Sequence, residues 1–168
     1  MKNEFIRTVF FGMAAGIIAT VVMDIFVAVA MLAMGNPVSF MFSFIGDVAA
    51  AFFSHLNVLI SGGAPWGVLF HYLFGLGYGG LFCALLDRIP RLKPAALGKS
   101  ILLGIVYIEI FSQPFLASAP LIREMAARDI FQWYALSTMM HAIYGMVVGI
   151  LEQYRAAIMS SIPTRPPK

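Results

Sequence analysis

Five stretches of this chain, at 8–34, 38–60, 65–86, 97–118 and 131–151, are apolar over 20 residues or more. A helix needs about 20 apolar residues to cross a hydrocarbon core. Within that core the backbone must satisfy its own hydrogen bonds, which leaves helix as the form for each stretch. Composition agrees: 61% of residues are apolar and 11% charged, against about half and a quarter in an ordinary soluble domain. The 168 residues amount to one domain, and a soluble fold of that size cannot hide so much apolar surface. The expectation is an all-α, polytopic membrane protein, a single membrane domain over 1–168 with the lipid bilayer as its first partner.

The formal charge of +3 carries little information about nucleic acid. The basic residues sit at the ends of apolar segments and make no separate basic face, so no nucleic-acid partner is expected. Cys83 is the single cysteine, which excludes a disulfide framework and a Cys-based metal motif. Lys2 and Arg7 precede the first apolar stretch as they would in a signal peptide. That stretch is much longer than a signal core of about 7–15 residues and carries Asp24, so it reads as a retained span.

The second stretch differs from the others. Its large apolar residues, among them Phe40, Met41, Phe44, Val48, Phe52 and Leu56, form one stripe at helical spacing. Ser39, Ser43, Asp47, Ser54 and Asn57 lie off that stripe, and His55 reads as a polar interfacial residue. A helix with two such faces lies along an interface more readily than it spans. With four spans, nine of the eleven basic residues fall on one side, and only Arg123 and Arg128 on the other, beside Glu124 and Asp129. A fifth span would move the Arg88–Lys99 cluster across, against the positive-inside rule. The reading is four transmembrane helices with both termini cytoplasmic, plus an outer interfacial amphipathic helix at 38–60. Trp66 and Trp133–Tyr134 then stand at the outer ends of their helices as aromatic anchors.

The four spans read as two parallel-repeat hairpins. The second contains His71, Gly75 and Gly79, and the fourth His141, Gly145 and Gly149, with the same spacing. The first and third share an acid followed by Ile-Phe, at Asp24 and at Glu109. Gly12, Gly16, Thr20 and Asp24 recur every four residues on one face. Small residues so spaced let helix backbones approach closely in lipid, and packing alone accounts for these glycines. The two acids lie roughly 15 Å below the outer surface and the two histidines roughly 7–12 Å, by helical rise. The four groups therefore share one layer. Thr20, a turn before Asp24, and Gln113, a turn after Glu109, complete a candidate ligand or proton site.

A charged Asp at the centre of a span costs about 2.5–3.5 kcal/mol on insertion scales. Such acids either stay neutral or imidazole-bonded as helix glue, or form a proton, metal or ligand site. No phosphate-binding loop, Gly-x-Ser-x-Gly elbow or His-Glu-x-x-His occurs, so any enzyme chemistry would run within the membrane. Three readings remain open. One is a non-enzymatic protein whose Asp/Glu/His layer binds a proton or small ligand, or supports a larger membrane complex. The next is a carrier of haem, with His71 and His141 as axial ligands, or of a divalent metal on those histidines with Asp24 and Glu109. The third is a small transporter, which four helices could form only as a homodimer or larger oligomer.

The run Gly16-x2-Ala19-Thr20-x2-Met23-Asp24, then His71-Tyr72-x2-Gly75, Pro94-x-Ala96-x-Gly98, Gln113-Pro114 and His141-x2-Tyr144-Gly145, resembles small bacterial inner-membrane proteins of unknown function. These are the YagU-like family and a related set with an Ala-Thr-x-x-Met-Asp first helix. The likeness covers about residues 8–151. It departs in the loop between the third and fourth spans, which lacks a Gly-rich stretch. It implies a four-helix protein of the bacterial inner membrane and brings no activity with it.

Overall fold

A computed structural model describes residues 2–117 and 125–161. Arg123, Glu124, Arg165 and Lys168 from the charge count lie outside the described residues, as does most of the loop between the third and fourth expected spans. Among the described residues every element is helical. The order is α1 (Lys2–Ala33), α2 (Ser39–Ser54), α3 (Gly63–Arg88), a 3-10 turn at Pro90–Leu92, α4 (Leu97–Ala117), α5 (Ala127–Gln153) and α6 (Arg155–Ser161). Among them α1, α3 and α5 are long and apolar enough to cross a membrane. Helix α4 runs 21 residues. Phe10, Ile25, Val29, Leu32, Leu102 and Ile110 point outward with 61–67% of their surface exposed. That is a surface for lipid, not water.

Two helix ends are fixed by the same device. The Asn36 N–H donates to the Met31 carbonyl and the Gly35 N–H to Leu32, with Gly35 at φ 74°. The Val58 N–H donates to Phe53 and the Asn57 N–H to Ser54, with Asn57 at φ 58°. Both are the two-bond cap that needs a left-handed residue, which Gly and Asn adopt most cheaply.

Helices α1 and α3 run antiparallel at very close range. A Cβ on Gly16 would meet the Gly75 carbonyl, and one on Gly79 the Gly12 carbonyl. Helices α4 and α5 meet the same way, with Gly104 against Gly145 and Gly149 against the Ser100 carbonyl. The Ser100 hydroxyl also donates to the Gly149 carbonyl at 2.7 Å. Helix α1 further packs on α5, and α3 touches α4 lightly through aromatics. There Phe82 and Tyr107 lie 5.1 Å apart by ring centroid, and the Tyr107 hydroxyl donates to the Tyr78 carbonyl. The core is built from Met23, Val27, Phe82, Met140, Tyr144 and Val148.

Helix α2 departs from the sequence reading in extent. It covers Ser39–Ser54 and not 38–60, and only part of its stripe packs on protein, with Phe40, Phe52 and Leu56 exposed. Met41, Phe44 and Val48 are buried. It lies back along α3: Gly46 approaches Gly63 and Gly67, Ala50 approaches Gly62, and Phe42 lies 5.8 Å from the His71 ring. Asp47 locks the register by accepting the Gly63 N–H at 2.9 Å, which caps an orphan donor of α3. A second correction concerns Trp133. It is no surface anchor but is 8% exposed and packed 3.9 Å from Phe44.

Candidate functional site

The antiparallel register of α1 and α3 brings Asp24 opposite His71, one turn from the Thr20–Gly75 contact. Asp24 Oδ1 and His71 Nε2 are 2.8 Å apart, with side chains only 17% and 11% exposed. The register of α4 and α5 brings Glu109 opposite His141. Here Glu109 Oε1 lies 3.6 Å from His141 Nδ1, close enough for an ion pair but too long for a hydrogen bond. The Ser112 hydroxyl stands nearer to the same nitrogen, at 2.9 Å, with Ser137 at 3.5 Å. Gln113 donates through Nε2 to Glu109 Oε2 at 2.5 Å. Glu109 Oε1 and Gln113 Oε1 are buried without a hydrogen-bond partner.

Asp24, His71, Glu109 and His141 thus form two pairs, one tight and one loose. Among the described residues no three His, Cys, Asp or Glu side chains are arranged to hold a metal ion. The two-histidine, two-carboxylate metal site therefore does not fit this geometry. Thr20 is fully buried, and its hydroxyl is committed to the Gly16 carbonyl at 2.9 Å. His55 is exposed at the end of α2.

Between the two pairs lies a partly enclosed cavity of about 100 Å³, and both His71 and His141 line it. Thr20 and Met23 reach it from α1, Met41, Ile45 and Val48 from α2, and Ile108 and Ser112 from α4. Trp133, Ser137, Met140 and Tyr144 close it from α5. The Tyr144 hydroxyl is spent on the Gly75 carbonyl at 2.6 Å. A cavity of about 150 Å³ takes one benzene, so about 100 Å³ leaves no room for a porphyrin between the two imidazoles.

Sequence reasoning missed a second polar network at the opposite end of the bundle. Arg155 donates to the Thr8 hydroxyl at 2.6 Å and lies 3.3 Å from Glu152. It also approaches Asp87, which Lys93 reaches from the turn before α4. Cys83 donates to Glu152 at 3.2 Å. These side chains tie α1, α3 and α5 together where they end. No local motif announces them, because they come from three distant regions of the chain.

No family model matches this chain, and no curated protein or solved structure shows a significant similarity to it.

Proposed function

We propose that this is a non-enzymatic integral membrane protein whose two intramembrane carboxylate–imidazole pairs bind protons beside a small ligand cavity. The observation that carries the reading is the 2.8 Å contact of Asp24 with His71. A carboxylate and an imidazole at that range share one proton between them, which is the inexpensive way to keep ionisable groups in an apolar layer. Imidazole is also the group that titrates near neutral pH. The looser Glu109–His141 pair leaves the buried Glu109 Oε1 without a hydrogen-bond partner, an acceptor free to take a proton.

The reading includes four spans, α1, α3, α4 and α5, in a bacterial inner membrane with both termini cytoplasmic. Its support is charge. Arg7, Arg88, Arg91, Lys93, Lys99 and Arg155 belong to one end of the bundle, and among the described residues Arg128 is the base at the other. It also includes descent of the hairpins α1–α3 and α4–α5 from one repeat. In its favour, each hairpin sets an acid against a histidine and follows that histidine with two glycines at the helix crossing. Kinship with the YagU-like proteins stays a proposal on the short motifs quoted above.

The test is proton uptake by purified protein in nanodiscs, stepped through the imidazole range around pH 6.5. Asp24→Asn and Glu109→Gln should each reduce the protons taken up per chain while the helical circular dichroism is kept. Folded variants that take up as many protons as the parent would refute the reading.

A further inference from the structure

We propose that the cavity between the two pairs binds a small, neutral organic molecule carrying one hydrogen-bond acceptor, which takes the indole N–H of Trp133. This rests on the reading of the layer as a binding site and names the ligand class for it. Trp133 is 8% exposed and lines the cavity, and its Nε1 is a buried donor with no acceptor. Indole nitrogen donates only, so its missing partner is an acceptor. Three of the other polar side chains on the wall are already engaged. The Thr20 and Tyr144 hydroxyls hold backbone carbonyls, and Ser112 holds His141. A buried donor without a partner is costly, and a ligand oxygen placed there removes the cost.

The rest of the wall dictates the rest of the ligand. Met23, Met41 and Met140, from three different helices, face the cavity. Thioether side chains are unbranched and polarizable, and they mould to an apolar body of varying shape. The volume of about 100 Å³ limits that body to a single small ring or a short chain of no greater bulk. Neutrality follows from the two pairs. Each acid is already matched to an imidazole. An ionic ligand would therefore lie uncompensated in an apolar site.

The chain has two tryptophans, and Trp66 is engaged elsewhere, on Ser61. Trp66→Phe therefore leaves Trp133 as the only indole reporter. Cyclopentanone and cyclopentane present one ring with and without a carbonyl. Titrated into this variant in nanodiscs, cyclopentanone should shift Trp133 emission along a saturating curve. Cyclopentane should need about tenfold or more of the concentration, because it leaves the N–H unpaired. In Trp133→Phe, followed by melting temperature, the ketone should lose its advantage over the hydrocarbon. Met41→Phe, which fills the cavity from α2, should weaken both. A linear response, equal for the two compounds and unchanged by Met41→Phe, would mean partition into the bilayer alone and would overturn the proposal. Loss of saturable ketone binding with pair-dependent proton uptake intact removes this inference and leaves the proton reading. Saturable ketone binding without pair-dependent uptake removes the proton reading and leaves the cavity as a site.

Discussion

At the scale of single residues, the glycines separate into those that hold the bundle and those that do not. A Cβ at Gly145 would fall 2.5 Å from the Gly104 carbonyl carbon and the Ile105 nitrogen, which are backbone and cannot swing aside. At Gly77, on the outer face of α3, a Cβ meets nothing within 4 Å. Gly145→Ala should therefore force α4 and α5 apart and cost about 1–3 kcal/mol. Gly77→Ala should be neutral or stabilising by up to about 1 kcal/mol, because it only removes freedom from the unfolded chain. Reversible unfolding of both variants in mixed micelles checks this, and equal losses would contradict the packing account. The spacing of Gly12, Gly16, Gly75, Gly79, Gly145 and Gly149 made the close faces legible from sequence, because small residues every four positions mark one side of a helix. The pairing of acid with histidine was not fixed by that spacing. Depth alone puts four groups in one layer, whereas the crossing register decides that Asp24 meets His71 at 2.8 Å and Glu109 meets His141 only at 3.6 Å.

At the scale of elements, α2 shows what an apolar stripe can and cannot say. A stripe reports that one face of a helix is covered and leaves open whether lipid or protein covers it. Here Met41, Phe44 and Val48 are buried against the bundle, and Phe44 packs at a tilt against Trp133. Two signals for the protein partner were present in the sequence. Gly46 and Gly67 are the small residues that let α2 and α3 touch. Asp47, taken as part of a polar face, is the acceptor that caps α3. The start of α3 otherwise has no side-chain cap of its own, since Gly62 precedes it. Asp47→Ala should cost about 0.5–2 kcal/mol, the usual worth of an N-cap, and should loosen α2 from α3 without disturbing α1. Hydrogen exchange would read this as faster exchange at 39–54 and at the first turn of α3 together. Faster exchange in only one of the two segments would show that Asp47 does not couple them.

At the scale of the whole molecule, the arrangement is a ring of four helices with its weakest contact between α3 and α4 and with α2 laid against α3. Its two ends differ in kind. One end carries the network of Arg155, Thr8, Glu152, Asp87 and Lys93, where charges are matched and joined across helices. The other end holds Asp47, His55 and Trp66 around the turn from α2 to α3, with no Lys or Arg between Gly35 and Trp66. In the proposed topology that asymmetry sets the orientation, because translocating a basic cluster is opposed and translocating an uncharged turn is not. Ser61 precedes and Lys93 follows the 26-residue α3, which places them at opposite ends of the bundle. Cys83 is the single cysteine and donates to Glu152, so Cys83→Ser gives a background free of native thiol with a hydroxyl that can keep that bond. On that background, Ser61→Cys in intact bacterial cells should react with a membrane-impermeant maleimide added outside. Lys93→Cys should react only after the inner membrane is opened. The reverse pattern would invert the molecule and move the acid–histidine layer to the cytoplasmic half. Labelling of both from outside would deny that α3 spans at all, and with it the argument that Asp24 and His71 share a proton because lipid surrounds them.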